Sequence, residues 1–329
     1  MISIVIPAYN EEKVLPELIQ RLSSAAKDWG DSYEIVFVDD GSKDRTWDII
    51  REQHKRHPYV RGIRFSRNFG HQAAVTAGLA YAQGDAVFVM DADLQDPPEI
   101  LAKFIEKWRE GYEVVYAVRM KRKESIFKKA SYFLFYRMLQ RLAEIDIPLD
   151  SGDFCLMDRK VLDELNRLPE KHRFVRGLRA WVGFKQYGLA YERHARQGGE
   201  PKYTLKKLIG LALNGLLSFS SFPLRLASLL GLIIAGTSFL GLIFFFLYRI
   251  FDWKLFGYSI RATPGTATIF LTVLFLGGIQ LITIGIIGEY IGRIFEEVKA
   301  RPTYVARDVI GFCASSDPRP ASSVSEESV

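Results

Sequence analysis

The sequence predicts an α/β domain with a parallel, doubly wound sheet, followed by two membrane-spanning helices. Three observations carry that prediction. Over the first half of the chain, short β-rich apolar runs alternate with helical patterns. Each run ends in polar, turn-forming residues. From Leu224 onward, the mixture of charged and apolar residues that holds up to about Gln197 gives way to two long apolar segments.

Taken in order, strands are expected at Ile2–Ile6, Glu34–Val38, Val60–Phe65, Ala86–Met90 and Val114–Val118, with helices at Val14–Trp29, Thr46–His57, His71–Gln83 and Pro98–Glu110. Ligands of such folds bind outside the carboxyl ends of the strands. The segments to watch are therefore Pro7-Ala8-Tyr9-Asn10-Glu11, Asp39-Asp40-Gly41-Ser42, Ser66-Arg67-Asn68 and Asp91-Ala92-Asp93. The first turn lacks Gly-x-Gly-x-x-Gly and no Gly-Lys-Ser/Thr loop occurs, which disfavours dinucleotide oxidoreduction and P-loop chemistry.

The apolar segments Leu224–Ile250 and Thr266–Gly292 each exceed the roughly 20 residues a helix needs to cross the hydrocarbon core. Lys202, Lys206, Lys207 and Arg225 precede the first, and Arg293, Lys299, Arg301 and Arg307 follow the second. Only Arg249, Lys254 and Arg261 lie between them. That asymmetry predicts a multi-pass protein of the inner (plasma) membrane with both termini and the large domain in the cytoplasm. Met1–Ile6 is too short an apolar run for a signal peptide.

The formal charge of +6 and pI near 9.1 suit an anionic bilayer surface better than nucleic acid, because the basic residues gather beside the apolar helices. Two cysteines, Cys155 and Cys313, form no disulfide or zinc framework. The expected organisation is a domain over residues 1–200, a juxtamembrane amphipathic segment over 201–223, spans at 224–250 and 266–292, a short extracytoplasmic loop at 251–265, and a cytoplasmic tail over 293–329 that loses order at its Ser- and Glu-rich end. Glu124–Ala143 and Tyr203–Ser220 read as amphipathic helices, either packed on a core or lying in the headgroup region. Glycines 277, 278, 285, 288 and 292 would permit close helix contacts, and a homo-oligomer is expected.

Val87-Phe88-Val89-Met90-Asp91-Ala92-Asp93 carries the most chemistry. In an extended backbone residues i and i+2 point the same way, so Asp91 and Asp93 would share one side of a strand end. Two carboxylates held that close raise each other's pKa unless a cation neutralises them, and their hard oxygens suit Mg²⁺ or Mn²⁺ bridging a diphosphate. Asp39-Asp40-Gly41-Ser42 by itself also fits a turn and helix cap.

Four ordered blocks carry a family resemblance: Val5-Ile6-Pro7-Ala8-Tyr9-Asn10-Glu11-Glu12; Val38-Asp39-Asp40-Gly41-Ser42 with Asp44 and Thr46; Phe65-Ser66-Arg67-Asn68-Phe69-Gly70-His71; and Asp91-Ala92-Asp93-Leu94-Gln95-Asp96-Pro97-Pro98-Glu99. Together they resemble glycosyltransferase family 2, specifically the polyprenyl-phosphate glycosyltransferases and most closely the bactoprenol glucosyltransferases, over roughly Met1 to Pro302. The catalytic domain is similar to that of dolichyl-phosphate mannose synthases, and the resemblance implies a Rossmann-like GT-A fold.

It also implies roles. Pro7, Tyr9, Glu11, Asp39 and Asp40 would bind the nucleotide. Asp91, Asp93 and Gln95 would carry Mg²⁺ or Mn²⁺ on the diphosphate. Arg119, and Arg196 with Lys202, would meet donor or acceptor phosphates, although Arg196 and Lys202 also fit salt bridging to lipid. Ser151-Gly152-Asp153-Phe154 is similar to a segment whose acidic residue is assigned as general base. A lipid monophosphate, with a second pKa near 6, is already largely dianionic at neutral pH, so Asp153 instead fits a catalytic role that orients the acceptor or steadies positive charge developing on the sugar. The reaction implied is transfer of one sugar, glucose from UDP-glucose, to undecaprenyl phosphate with inversion, for later modification of cell-surface glycans. The alternatives are another donor, such as GDP-mannose or a UDP-amino sugar, or a non-catalytic nucleotide-sugar-binding scaffold. Processive synthases carry Gln-x-x-Arg-Trp, which Arg176-Gly177-Leu178-Arg179-Ala180-Trp181 does not reproduce.

Overall fold

A computed structural model describes residues 1–119, 151–171, 173–191, 222–251 and 266–312. The expected amphipathic segments, the 252–265 loop, Arg196, Lys202 and the end of the tail lie outside these residues.

Strands β1 (Ile2–Ala8), β2 (Tyr33–Asp39), β3 (Val60–Phe65) and β4 (Ala86–Val89) pair in parallel, and helices α1 (Leu15–Ala25), α2 (Thr46–Arg56) and α3 (His71–Tyr81) connect them. Both faces are covered, as near-continuous apolar strands require. Ile2, Ile4 and Ile6 join Leu15, Leu18 and Phe104 in one core. On the other face α3 lies so close that a Cβ on Gly78 would fall 2.2 Å from Val5 Cγ1.

The sheet has eight strands in the order β7-β5-β6-β4-β1-β2-β3-β8, with β5 at Val114–Arg119, β6 at Ser151–Asp158, β7 at Gln186–Tyr191 and β8 at Ala306–Ile310. It is mixed rather than wholly parallel, which corrects the expectation. β6 inserts antiparallel between β4 and β5, and β8 pairs antiparallel with β3. The order reverses at β1, whose neighbours β2 and β4 lead away in opposite directions, and folds of this kind bind ligands beyond the carboxyl ends of the strands at such a point. Helix α4 (Leu101–Arg109) packs on β5 and β6, while α5 (Arg159–Arg167) and α6 (Val175–Trp181) follow β6 and pack on it.

The chain divides into two units, one of residues 1–215 and 302–329 and the other of residues 216–301. The second contains α7 (Phe222–Ile250) and α8 (Thr266–Val298), whose large apolar side chains are exposed, including Leu232, Phe239, Leu281 and Ile284. In α8, Phe275–Val298 is long and apolar enough to cross a membrane and none of it is buried; the apolar stretch of α7, Leu229–Gly241, is shorter. The segment after α8 was expected only as a tail. Instead β8 joins the eight-stranded sheet, with Tyr304 stacked on Phe65 at 5.0 Å and Ser66 N–H donating to the Val305 carbonyl at 3.0 Å.

Candidate active site

The turns that follow β1, β2 and β3 hold one another in place. Asn10 adopts a left-handed conformation, φ 56°, and its N–H donates to Ser42 Oγ at 2.9 Å while Lys43 N–H returns a bond to Asn10 Oδ1 at 2.9 Å. Glu11 N–H donates to Thr46 Oγ1, and Asp44 accepts from Glu12 N–H and from the Thr46 hydroxyl. Gly41, φ 69°, admits the third turn: a Cβ there would sit 2.5 Å from the Arg67 carbonyl carbon.

Asp39 is fully buried, accepts Ser42 N–H at 2.9 Å and has Arg64 Nε at 3.5 Å. Asp40 accepts the N–H groups of Phe69 at 2.6 Å and Gly70 at 3.0 Å. Burial raises both carboxyls above their ordinary values, partly offset by these donors. Of the residues expected to bind nucleotide, Pro7, Asp39 and Asp40 are buried, whereas Tyr9 and Glu11 are half-buried. Arg119 ends β5 opposite Tyr191.

β4 stops at Val89, and Asp93 lies in a turn rather than on an extended strand. The reason is local: Asp93 Oδ1 accepts Gln95 N–H at 3.1 Å, and Leu94 between them takes the left-handed conformation at φ 55°. Such a conformation costs a bulky residue about 1–2 kcal/mol. Asp96 is buried and accepts the Tyr191 hydroxyl, which ties this turn to the end of β7. Asp93 still reaches Asp91 electrostatically. The Asp91 carboxyl is raised by desolvation, lowered by His71, and raised again by Asp153, Asp93 and Asp96, although its side chain keeps 40% exposure.

β6 completes the site. Its antiparallel register sets Cys155 opposite Val89, so Asp153 lies on β6 near the end of β4, beyond which the chain carries Asp91. His71, the first residue of α3, stands between them, with Nε2 3.5 Å from Asp153 Oδ2 and 3.9 Å from Asp91 Oδ1. Gln72 Nε2 donates to Asp153 Oδ2 at 3.4 Å, and its Oε1 accepts Val175 N–H. Arg176 Nη2 donates to Asp153 Oδ1 at 3.3 Å.

Burial would raise Asp153, but His71, Arg176 and Arg179 outweigh it and hold the carboxyl well below the usual carboxylate range. Burial lowers His71 and the surrounding Asp153, Asp91 and Asp40 outweigh that, so its pKa is raised. Asp153 is therefore a standing anion and a poor proton acceptor. His71, Gln72, Arg176 and Arg179 were given no role from sequence. His71 closes one of the four family blocks, which was the available signal, whereas the arginines had been read only as a failed Gln-x-x-Arg-Trp match.

Asp91 and Asp93 fit a hard divalent cation, because neighbouring like charges help raise the Asp91 carboxyl and a cation would relieve them. Among the described residues no set of three His, Cys, Asp or Glu side chains forms a complete protein cage.

Residues 3–165 match the Glycosyl transferase family 2 profile. The chain is 53% identical over 311 residues to an uncharacterized glycosyltransferase, YkcC, of Bacillus subtilis, covering 94% of each protein. It is 40% identical over 307 residues to the SfII prophage-derived bactoprenol glucosyl transferase of Shigella flexneri, covering 93% of this chain and 97% of the relative. It also aligns with glucosyl-3-phosphoglycerate synthase from Mycobacterium tuberculosis in complex with UDP, at 20% identity and a TM-score of 0.44 over 66% of this chain and 79% of that one.

Proposed function

The chain belongs to glycosyl transferase family 2, and on that premise we propose that it transfers one glucose from UDP-glucose to undecaprenyl phosphate at the cytoplasmic face of the plasma membrane, with inversion. One observation carries this reading: the 40% identity to a bactoprenol glucosyl transferase runs across 93% of the chain, through the acidic turn and the apolar helices alike. The exposed apolar faces of α7 and α8 support two spans, which bring the active site to an acceptor whose chain stays in the bilayer.

In this reading Tyr9 and Glu11 contact the nucleoside over a floor held by Asp39 and Asp40. Asp91 and Asp93, with Gln95, would hold Mg²⁺ or Mn²⁺, which supplies Lewis-acid neutralisation of the departing diphosphate. The phosphate oxygen of the acceptor attacks the sugar's anomeric carbon as the bond to the UDP oxygen breaks. The dianionic acceptor needs no base, so the standing charge of Asp153 steadies the positive charge that develops on the sugar. Arg119, Arg196 and Lys202 are assigned to phosphate oxygens.

The test incubates the full-length protein with undecaprenyl phosphate, Mg²⁺ and a panel of UDP- and GDP-sugars, beside Asp93→Asn, and scores lipid-linked sugar by mass spectrometry. Glucose transfer that is lost in the variant and abolished by chelation is expected. A retained anomeric configuration would overturn the displacement, transfer from another donor would correct the sugar, and no lipid product from any donor would defeat the reading.

A further inference from the structure

Helix α6 lays Arg176 and Arg179 across the face of β6 that carries Asp153 and Cys155. The spacings match, since residues three apart share a helix face and residues two apart share a strand face. The result is an excess of buried positive charge. Arg179 is only 1% exposed, yet neither its Nε nor its Nη2 has a hydrogen-bond partner among the described residues. It lies over the Tyr116 ring at 5.3 Å and against the Cys155 thiol, a neutral group that burial holds above its ordinary pKa. Arg176, 21% exposed, spends Nη2 on Asp153 while its buried Nε is also unpartnered.

A buried guanidinium with idle donors is costly, because desolvation is not repaid. Among the described residues, one carboxylate, already shared with His71, meets this pair of guanidiniums. The part of the Arg176 guanidinium that stays exposed carries N–H donors beyond the one given to Asp153, and a planar cation of that kind matches the oxygens of a phosphate.

We propose that Arg176, backed by Arg179, forms a phosphate subsite beside Asp153 that takes the monoester phosphate of the acceptor. The inference rests on the transferase reading above. Contacts run from Asp91 through His71 and Asp153 to Arg176, so the guanidiniums stand at the opposite end of that run from the carboxylates assigned to the donor diphosphate. Asp153 then lies between the two phosphates, keeps their charges apart, and orients Arg176 toward the incoming oxygen.

The experiment measures binding in nanodiscs, without turnover, using farnesyl phosphate, farnesol and UDP as probes on the full chain and on Arg176→Gln and Arg176→Lys. Arg176 is chosen because replacing the fully buried Arg179 endangers folding, and UDP binding in each variant reports that the fold is intact. Arg176→Gln is expected to weaken farnesyl phosphate at least about tenfold, with UDP and farnesol unchanged and partial recovery in Arg176→Lys. Unchanged farnesyl phosphate affinity would overturn the subsite, as would a loss confined to UDP, which would give the guanidiniums to the donor. Equal loss for farnesol would show a structural role and also overturn it. Failure of the two ideas is separable: phosphate-selective binding without sugar transfer defeats the transferase reading alone, whereas transfer with unaltered Arg176→Gln binding defeats the subsite alone.

Discussion

At the scale of single residues, Asp153 is the group on which the proposed chemistry depends most, because its neighbours decide what it can do. Arg176 occupies one oxygen, and His71 and Gln72 share the other. Asp153→Asn leaves those cations without their anion, and is expected to lower kcat about 10²-fold and stability by about 1–3 kcal/mol. The sign of the pH dependence follows from the depressed folded-state pKa. Stabilisation by the carboxylate is complete above its unfolded value near 4 and is lost only as pH falls through the folded one. The gap in melting temperature between wild type and variant should be widest near pH 5, where His71 is protonated and Asp153 ionised, and should narrow below about pH 4. A gap of constant size into acid would rule out an electrostatic role.

At the scale of elements, α3 positions the site by lying close on β1, and Gly78 sets that distance. Two effects oppose each other in Gly78→Ala. Helix propensity favours alanine by about 1 kcal/mol, but the new methyl meets buried Val5 at 2.2 Å, and overpacking costs about 1–3 kcal/mol. Sterics should win: a net loss of stability with weakened nucleotide binding is expected, because α3 carries His71 at its first turn. Denaturation and UDP titration of the variant check this, and a stabilised protein with normal binding would show that α3 shifts freely. β8 matters at the same scale. It covers the outer edge of β3, the strand that leads into the Phe69–Gly70 turn gripping Asp40.

For the whole molecule, the catalytic unit is made of chain on both sides of the apolar one, since β8 returns to the sheet after α8. An even number of crossings follows if the apolar helices span the bilayer, with the connecting loop opposite the active site. A membrane-impermeant maleimide applied to intact cells is therefore expected to label Ser259→Cys but not the exposed position of Ser24→Cys. Labelling of both, or of Ser24→Cys alone, would refute that topology.

The sequence determined β1 to β5, the helices between them, the acidic turn and the apolar helices, because each is written in local periodicity or composition over a few consecutive residues. Val60–Phe65 was placed to the residue, and the other early strands differ by one or two positions at their ends. Tertiary structure alone decided that Asp39 and Asp40 brace turns, that β8 closes the sheet edge, and that β6 enters antiparallel. That last choice places Asp153 at the end of β4, where His71 meets both it and Asp91 and where Arg176 and Arg179 gather around it. Such pairings join residues far apart in the chain, and their register is fixed by the packing of whole faces, which leaves no mark on the neighbouring sequence.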